Sequence, residues 1–161
     1  MSINILQKKT LCAIIIIIKT RKVKYKDEVK FVITFDEAGL MLDEIAEEIP
    51  KDFYRELNGG IILLPDMKMH PESKRPEDLY ILGEYHNDRK GYGGLGRYIA
   101  IYYGSFIRVY ANLPPEQQRE TLRNVLVHEF THHLESLAGE EGLAVKDAVE
   151  LEKYRKKFIK S

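Results

Sequence analysis

Apolar residues recur at helical spacing after Thr34, and they predict a first helix over about residues 35–48. Thr34 and Glu37 fit a capping box at its start, in which each side chain accepts a hydrogen bond from the other residue's backbone N–H. The segment KDFYREL after Pro50 predicts a second, shorter helix. Asn58 and the two glycines that follow it are typical of a helix end, so we expect this helix to stop there.

Three runs further along the chain predict β-strands. Ile61 to Leu64 is a continuous apolar run, which is typical of a buried strand. Leu79 to Tyr85 and Arg97 to Tyr103 predict two more strands, and the glycine-rich stretch 87–96 between them favours a hairpin. The proline-containing stretch 65–78 predicts a loop.

The last third of the chain predicts two helices joined by a short turn. Pro114, Pro115 and Glu116 favour the start of a long helix, and Gly139 favours its end. Leu143 to Phe158 predicts a final amphipathic helix that packs antiparallel to the long one. The long helix has one broad apolar stripe, formed by Leu122, Val125, Leu126, Phe130, Leu134 and Leu137. The preceding segment FIRVYA fits either a strand or one helical turn.

The long helix contains an H-E-x-x-H pattern at residues 128–132. Two histidines four residues apart lie on the same face of a helix, so His128 and His132 can reach one metal ion. Glu129 can then act as the general base toward a water molecule on that ion. A bound zinc ion lowers the pKa of such a water to about 7. The pattern therefore predicts a site for one zinc ion per chain.

The helical phase of the motif supports this prediction. His128, His132 and Glu135 cluster on nearly the opposite side from the apolar stripe, where a cleft could meet them. The alternative is an ordinary solvated face, but chance places this motif in only about a few chains per thousand of this length. His133 falls on the apolar face, so we interpret it as a packed or hydrogen-bonded core histidine.

The composition limits the classes of partner. The 161 residues fit one domain and include 25 basic and 25 acidic residues, so no nucleic-acid surface is expected. A single cysteine, Cys12, excludes an internal disulfide, as is typical of a cytoplasmic protein. No stretch is long enough to predict a membrane span. The oligomeric state has no signature in the sequence.

Residues 1–33 differ from the rest of the chain and are interpreted as an atypical N-terminal extension. The run LCAIIIII from Leu11 to Ile18 resembles the apolar part of a signal peptide, but lysines and an arginine follow it where a cleavage site should be. A β-strand is the structural alternative, because isoleucine favours strands. A third interpretation is that translation starts further along, at Val32.

Several segments together resemble the small bacterial minimal-zincin metallopeptidases. These are the H-E-x-x-H-H run on a C-terminal helix, a Y-I-x-I-Y-Y strand, the segment Leu82 to Tyr85 and the N-terminal helix F-D-E-A-G-L-M-L. The resemblance covers about residues 34–155 and implies a single domain over 34–161. It implies an α+β zincin-like fold, with a small mixed sheet packed against helices. It also implies that His128 and His132 bind zinc and that Glu129 is the general base.

The third zinc ligand is where this chain departs from the family. The extended pattern resembles H-E-x-x-H-x-x-G-x-x-D, but Glu135 stands at the glycine position and Ala138 at the aspartate position. Because the helix extends to Gly139, we expect Glu140, just after the bend, to be the counterpart of the aspartate. The alternatives that stay open are Glu135, Asp147 and Glu150.

These residues predict metal-assisted amide hydrolysis. The resemblance implies that the substrate is a peptide or protein, and a metallohydrolase that cuts a non-peptide amide is the alternative that the sequence leaves open. Candidate donors to the oxyanion are Tyr85, His86, Arg97 and Tyr102, each of which also fits a purely structural role. The strand at 97–103 is expected to be exposed, so that it could bind an extended peptide by β-addition. No feature of the sequence defines a specificity pocket.

The rival interpretation is a non-catalytic binding or scaffold protein with a vestigial or empty metal site. The incomplete third-ligand pattern favours the rival. Structural zinc sites are usually closed by four ligands and rich in cysteine, and Cys12 is the only thiol of the chain. Glu129 favours catalysis, because a structural site does not need a general base.

Overall fold

The computed structural model describes residues 12–17, 31–74, 79–88, 95–140 and 142–159. Within these ranges the chain folds as a mixed α+β protein. In chain order the elements are strand β1 (Cys12–Ile17), helix α1 (Phe35–Glu48), a 3-10 helix (Lys51–Tyr54), strands β2 (Gly60–Leu64), β3 (Lys68–Met69), β4 (Leu79–Asp88) and β5 (Gly96–Tyr102), and helices α2 (Tyr103–Tyr110), α3 (Pro115–Ala138) and α4 (Gly142–Ile159).

Four strands lie side by side in the order β1-β4-β5-β2, and the short β3 also pairs with β4. β4 is antiparallel to β1, β3 and β5, whereas β2 is parallel to β5. Because β5 is paired with β4 on one edge and with β2 on the other, the expectation that residues 97–103 form an exposed strand for an extended peptide is wrong.

The main core lies between the sheet and helices α1 and α3. From α3 it takes four of the six residues of the predicted apolar stripe, since Leu122, Val125, Leu126 and Phe130 are buried. The other two, Leu134 and Leu137, are only partly buried. The four buried side chains pack against strand residues such as Leu82 and Ile99 in the same cluster. Full burial of one such side chain contributes about 1.5–3 kcal/mol, so this stripe fixes which side of α3 faces the sheet.

Helix α1 begins and ends where the sequence predicts. The Thr34 hydroxyl accepts a hydrogen bond from the Glu37 N–H at 3.2 Å, and the Glu37 carboxylate accepts one from the Thr34 N–H at 2.6 Å. The predicted capping box is therefore confirmed. The two hydrogen bonds satisfy N–H groups that a helix start otherwise leaves without a partner.

Other local predictions are confirmed in part. The hairpin of β4 and β5 forms, and β4 extends to Asp88, three residues beyond its predicted end. The segment FIRVYA lies mainly in α2, which settles its ambiguity in favour of a helix. KDFYREL forms a single 3-10 turn, and the predicted loop at 65–78 contains β3. Residues 75–78 and 89–94 of the predicted loop and turn lie outside the described residues.

The apolar run near the N-terminus contains β1, which pairs with β4. The strand interpretation of this run is confirmed for residues 12–17, and these residues belong to the same sheet as the other strands. Leu11 and Ile18 of the run, with the basic segment after it, lie outside the described residues. None of the helices in the described ranges has the length and apolar character to cross a membrane.

Candidate metal centre

Helix α3 carries the H-E-x-x-H motif in the second half of its 24 residues. Pro115 stands at its first position, where the missing N–H costs nothing. Gly139 ends the helix in the left-handed conformation with φ 72°, which glycine adopts without strain. The predicted start and end are thus confirmed, and the helix continues for six residues after the motif before it ends.

Three ligand atoms converge between α3 and α4. The Nε2 atoms of His128 and His132 lie 3.0 Å apart. The Oδ2 atom of Asp147 lies 3.4 Å from the first and 3.1 Å from the second. Among the described residues these three side chains form a group that could hold a metal ion.

The size of this triangle fits a small divalent cation. In a tetrahedral centre with bonds of about 2.0–2.2 Å, neighbouring ligand atoms lie about 3.3–3.6 Å apart. The three observed separations, from 3.0 to 3.4 Å, are within about 0.3 Å of that range. Two imidazoles and one carboxylate would also leave a fourth position for water or substrate, as catalytic zinc sites do.

The three side chains differ in how far solvent reaches them. His132 is 3% exposed, whereas His128 and Asp147 are 24% and 22% exposed. Solvent therefore reaches the group at His128 and Asp147. Burial alone would raise the pKa of the Asp147 carboxyl, but hydrogen bonds from His128 and His132 outweigh it and hold that pKa below its ordinary value. An ionised Asp147 is the form that binds a cation.

The geometry favours Asp147 over Glu140 as the third candidate ligand. Glu140 is exposed and follows the α3 terminus, where its backbone N–H donates to the Glu135 carbonyl at 2.8 Å. Glu150 is also exposed. Asp147 reaches the histidines because α4 turns back along α3, which confirms the predicted antiparallel packing. The Glu135 carboxylate accepts hydrogen bonds from the Leu143 N–H at 2.9 and 3.1 Å.

Glu129, the candidate general base, is fully buried at the interface of α3 and β4. Gly83 of β4 makes room for it: a Cβ atom added there would lie 3.0 Å from the Glu129 Cγ and 3.1 Å from its Oε1. The pairing of β1 with β4 shifts register between Ala13 and Ile15, opposite this part of β4. Such irregularities are common beside functional sites, where they redirect side chains. A glycine in a strand interior is the sequence signal for this close approach.

His133 lies in the core, as its position on the apolar face predicts. It is fully buried, and its Nε2 donates a hydrogen bond to the Arg55 carbonyl at 2.9 Å. Its ring lies 5.3 Å from the ring of Tyr85. Burial lowers the pKa of His133, so the neutral form is favoured. Its contacts are structural ones.

Two of the candidate oxyanion donors hold the hairpin to α3. The buried Arg97 donates from Nη1 to the Tyr85 hydroxyl at 2.9 Å and to the Ser136 hydroxyl at 3.1 Å. Asn87 donates to the same Ser136 hydroxyl at 3.1 Å. Ser136 thus accepts a hydrogen bond from one residue of each hairpin strand and links both strands to α3.

The other two candidate oxyanion donors, His86 and Tyr102, lie beside the carboxylate of Glu84. Glu84 Oε2 accepts from the Tyr102 hydroxyl and from Lys68 Nζ, each at 2.5 Å, and His86 Nε2 lies 3.4 Å away. Successive side chains of a strand point to opposite faces. Since Gly83 faces α3, Glu84 and its partners lie on the opposite face of the sheet from the candidate metal centre. Lys68 had no distinguishing signal in the sequence.

Among solved structures, the chain is similar in fold to one from a thermophilic bacterium. No family model and no curated protein matches the chain. A conserved hypothetical protein from Thermo thermophilus is similar, with 34% sequence identity and a TM-score of 0.55. The match covers 66% of this chain and 98% of that one. At this identity and coverage, the chain belongs to the same family as that conserved hypothetical protein.

Proposed function

We propose that this protein is a zinc-dependent metallopeptidase of the minimal-zincin type. The observation that carries the proposal is the convergence of His128 Nε2, His132 Nε2 and Asp147 Oδ2, all separated by 3.0–3.4 Å. Glu129 follows the first of these histidines and is fully buried. Two histidines with one carboxylate are the protein ligands of several zinc peptidases.

The ligand set argues against a purely structural zinc site. Structural sites are normally closed by four protein ligands, with cysteines among them. The group found here has three members and no cysteine, and His128 and Asp147 are each more than one-fifth exposed. An open position on the solvent side is what a hydrolytic site needs for water and substrate.

Each residue has a distinct role in the proposed reaction. His128, His132 and Asp147 would hold the zinc ion. A bound zinc ion supplies a lowered pKa for a coordinated water and polarises the substrate carbonyl. The Glu129 carboxylate accepts the proton of the attacking water and then passes it to the leaving amine nitrogen. The burial of Glu129 at the helix–strand interface keeps this carboxylate in one orientation.

The test uses the full chain loaded with zinc and a synthetic library of random-sequence peptides, with mass spectrometry of the products. We expect cleavage by the wild-type chain and loss of at least a hundredfold in rate for Glu129→Gln, because general acid–base catalysis contributes about 10²–10⁴-fold. Both proteins should keep one zinc ion. Glu140→Gln is the matched control, and its rate should equal that of the wild type.

Three outcomes would contradict the proposal. A Glu129→Gln variant that cleaves at the wild-type rate would show that Glu129 is not the base. A wild-type chain that binds zinc but cleaves nothing in the library would exclude a general peptidase and favour the non-catalytic scaffold. Iron in place of zinc in the purified protein would also count against it, because two histidines and one carboxylate are equally a ligand set of iron oxygenases.

A further inference from the structure

Helix α4 starts directly after the turn that follows α3, and its first N–H groups have no partner within the helix. The Glu135 carboxylate lies across this turn. Its two oxygens accept from the Leu143 N–H at 2.9 and 3.1 Å. A carboxylate in this position both satisfies a backbone donor and lies near the positive end of the helix dipole.

Two further features support this contact. A Cβ atom added to Gly142 would lie 3.3 Å from Glu135 Oε1, so the missing side chain lets the carboxylate approach the helix start. The first turn of α4 contains no acidic residue of its own. Glu135 of α3 therefore supplies a negative group that the first turn of α4 lacks.

We infer that Glu135 is a positioning residue for the metal centre, acting through Asp147. Asp147 lies four residues after Leu143, about one helical turn, so the orientation of the first turn of α4 decides where Asp147 Oδ2 is. Glu135 itself is not in the group of converging ligand atoms described above. The inference rests on the proposed metal site.

The other end of α4 is held independently. The Tyr154 hydroxyl accepts from the Lys74 N–H at 2.7 Å, and Arg155 donates to both oxygens of Glu72 at 2.5 Å. Asp147 lies between these contacts and the Glu135 contact. Removing Glu135 should therefore release the metal-binding end of α4 while the distal end stays attached.

The first experiment measures the zinc dissociation constant of the full-length chain by competition with a chromogenic chelator. Glu135→Ala should raise this constant about 10–100-fold, as loss of an outer partner of a metal ligand does. Glu135→Gln keeps an oxygen that can accept from the Leu143 N–H, so it should recover part of the affinity. Glu140→Gln, an exposed acid in the same turn, is the control and should stay within about twofold of the wild type.

The second experiment separates positioning from a general effect on the fold. If Glu135 acts through Asp147, Glu135→Ala should not weaken zinc binding further in an Asp147→Ala background. Equal fold-losses from Glu135→Ala in both backgrounds would overturn the inference. Should the alanine variant fail to fold, Glu135→Leu, which also lacks an acceptor for the Leu143 N–H, takes its place in the cycle, and equal fold-losses in both backgrounds would again overturn the inference.

The outcomes distinguish this inference from the proposed function. Zinc binding by the wild type without peptide cleavage would remove the peptidase proposal and leave the positioning role intact. If the wild type binds zinc and cleaves peptides, and Glu135→Ala binds zinc with the wild-type affinity, only the positioning role is contradicted. Absence of zinc binding by the wild-type chain would overturn both.

Discussion

Gly83 offers a sharp test of how the candidate general base is held. A Gly83→Ala substitution adds a Cβ atom 3.0 Å from the Cγ of Glu129 and 3.0 Å from Cγ1 of Val125. Ordinary contacts between carbon atoms are about 3.5–4.0 Å. The neighbours must therefore move apart by about half an ångström. Both neighbours are buried side chains of α3, so the overlap has to displace the Glu129 side chain together with Val125.

The expected magnitudes follow from this overlap. Overpacking of a core costs about 1–3 kcal/mol, and alanine regains about 0.5–1 kcal/mol over glycine in a strand. We expect the free energy of unfolding to fall by about 1–2 kcal/mol, which lowers Tm by about 2–8 °C for a domain of this size. Displacement of the base by half an ångström should lower kcat about tenfold.

The assay combines calorimetry, zinc content and peptide cleavage. Zinc content should be unchanged, because the side chains that Gly83 approaches are Glu129 and Val125 rather than the three candidate ligands. Gly39→Ala in α1 is the matched control: its Cβ would meet Leu63 at an ordinary 3.9 Å. That variant should gain about 0.5–1 kcal/mol. Wild-type Tm and kcat in Gly83→Ala would refute the reasoning.

Three further predictions concern stability. Burial would raise the pKa of Glu84, but hydrogen bonds from His86, Lys68 and Tyr102 hold it below its ordinary value of 4.5. The ionised carboxylate therefore stabilises the fold at neutral pH, and this contribution is lost as the pH falls below about 4.5. Urea titrations across the acid range should show a weaker pH dependence for Glu84→Gln, and an unchanged slope would argue against this. Leu126→Ala should cost about 2–5 kcal/mol in the same titrations, because Leu126 is fully buried; a loss below about 1 kcal/mol would mean that the α3 stripe is not packed as described. Gly139→Ala places a side chain at φ 72° and should lower Tm by a few degrees through a cost of about 1 kcal/mol, whereas an unchanged Tm would indicate a different helix end.

The parts of the fold that local interactions decide could be predicted from the sequence. The capping box of Thr34 and Glu37 joins residues three positions apart, so its pattern is visible in the sequence and its helix begins as predicted. The end of α3 at Gly139 is equally local. The phase of the H-E-x-x-H motif follows from helical geometry alone, which is why His128 and His132 are adjacent as expected.

The third candidate ligand could not be predicted in the same way. Glu135, Glu140, Asp147 and Glu150 are all acidic residues near the end of the motif, and their spacing does not rank them. The choice depends on how far α3 continues and on how α4 packs back against it. The structure decides both through Gly139 and the Glu135–Leu143 contact, which together bring Asp147 to the histidines.

Long-range pairing also explains the incorrect expectation for β5. Its sequence is that of a regular strand, but nothing local indicates that β2 pairs with it in parallel across more than thirty residues. The hydrogen-bond partners of Tyr102 could not be predicted from the sequence for the same reason. Lys68 and Glu84 are 34 and 18 residues away from Tyr102 in sequence, and they meet it only in the folded sheet.

The most direct test of the account is the zinc content of the purified wild-type chain, beside His132→Ala, Asp147→Ala and Glu140→Gln, by elemental mass spectrometry. We predict one zinc ion per chain in the wild type and in Glu140→Gln, with most of it lost from His132→Ala and Asp147→Ala. No zinc in the wild type after incubation with the metal would contradict the metal centre itself. Zinc kept by Asp147→Ala but lost from Glu140→Gln would contradict the assignment of Asp147 as the third ligand.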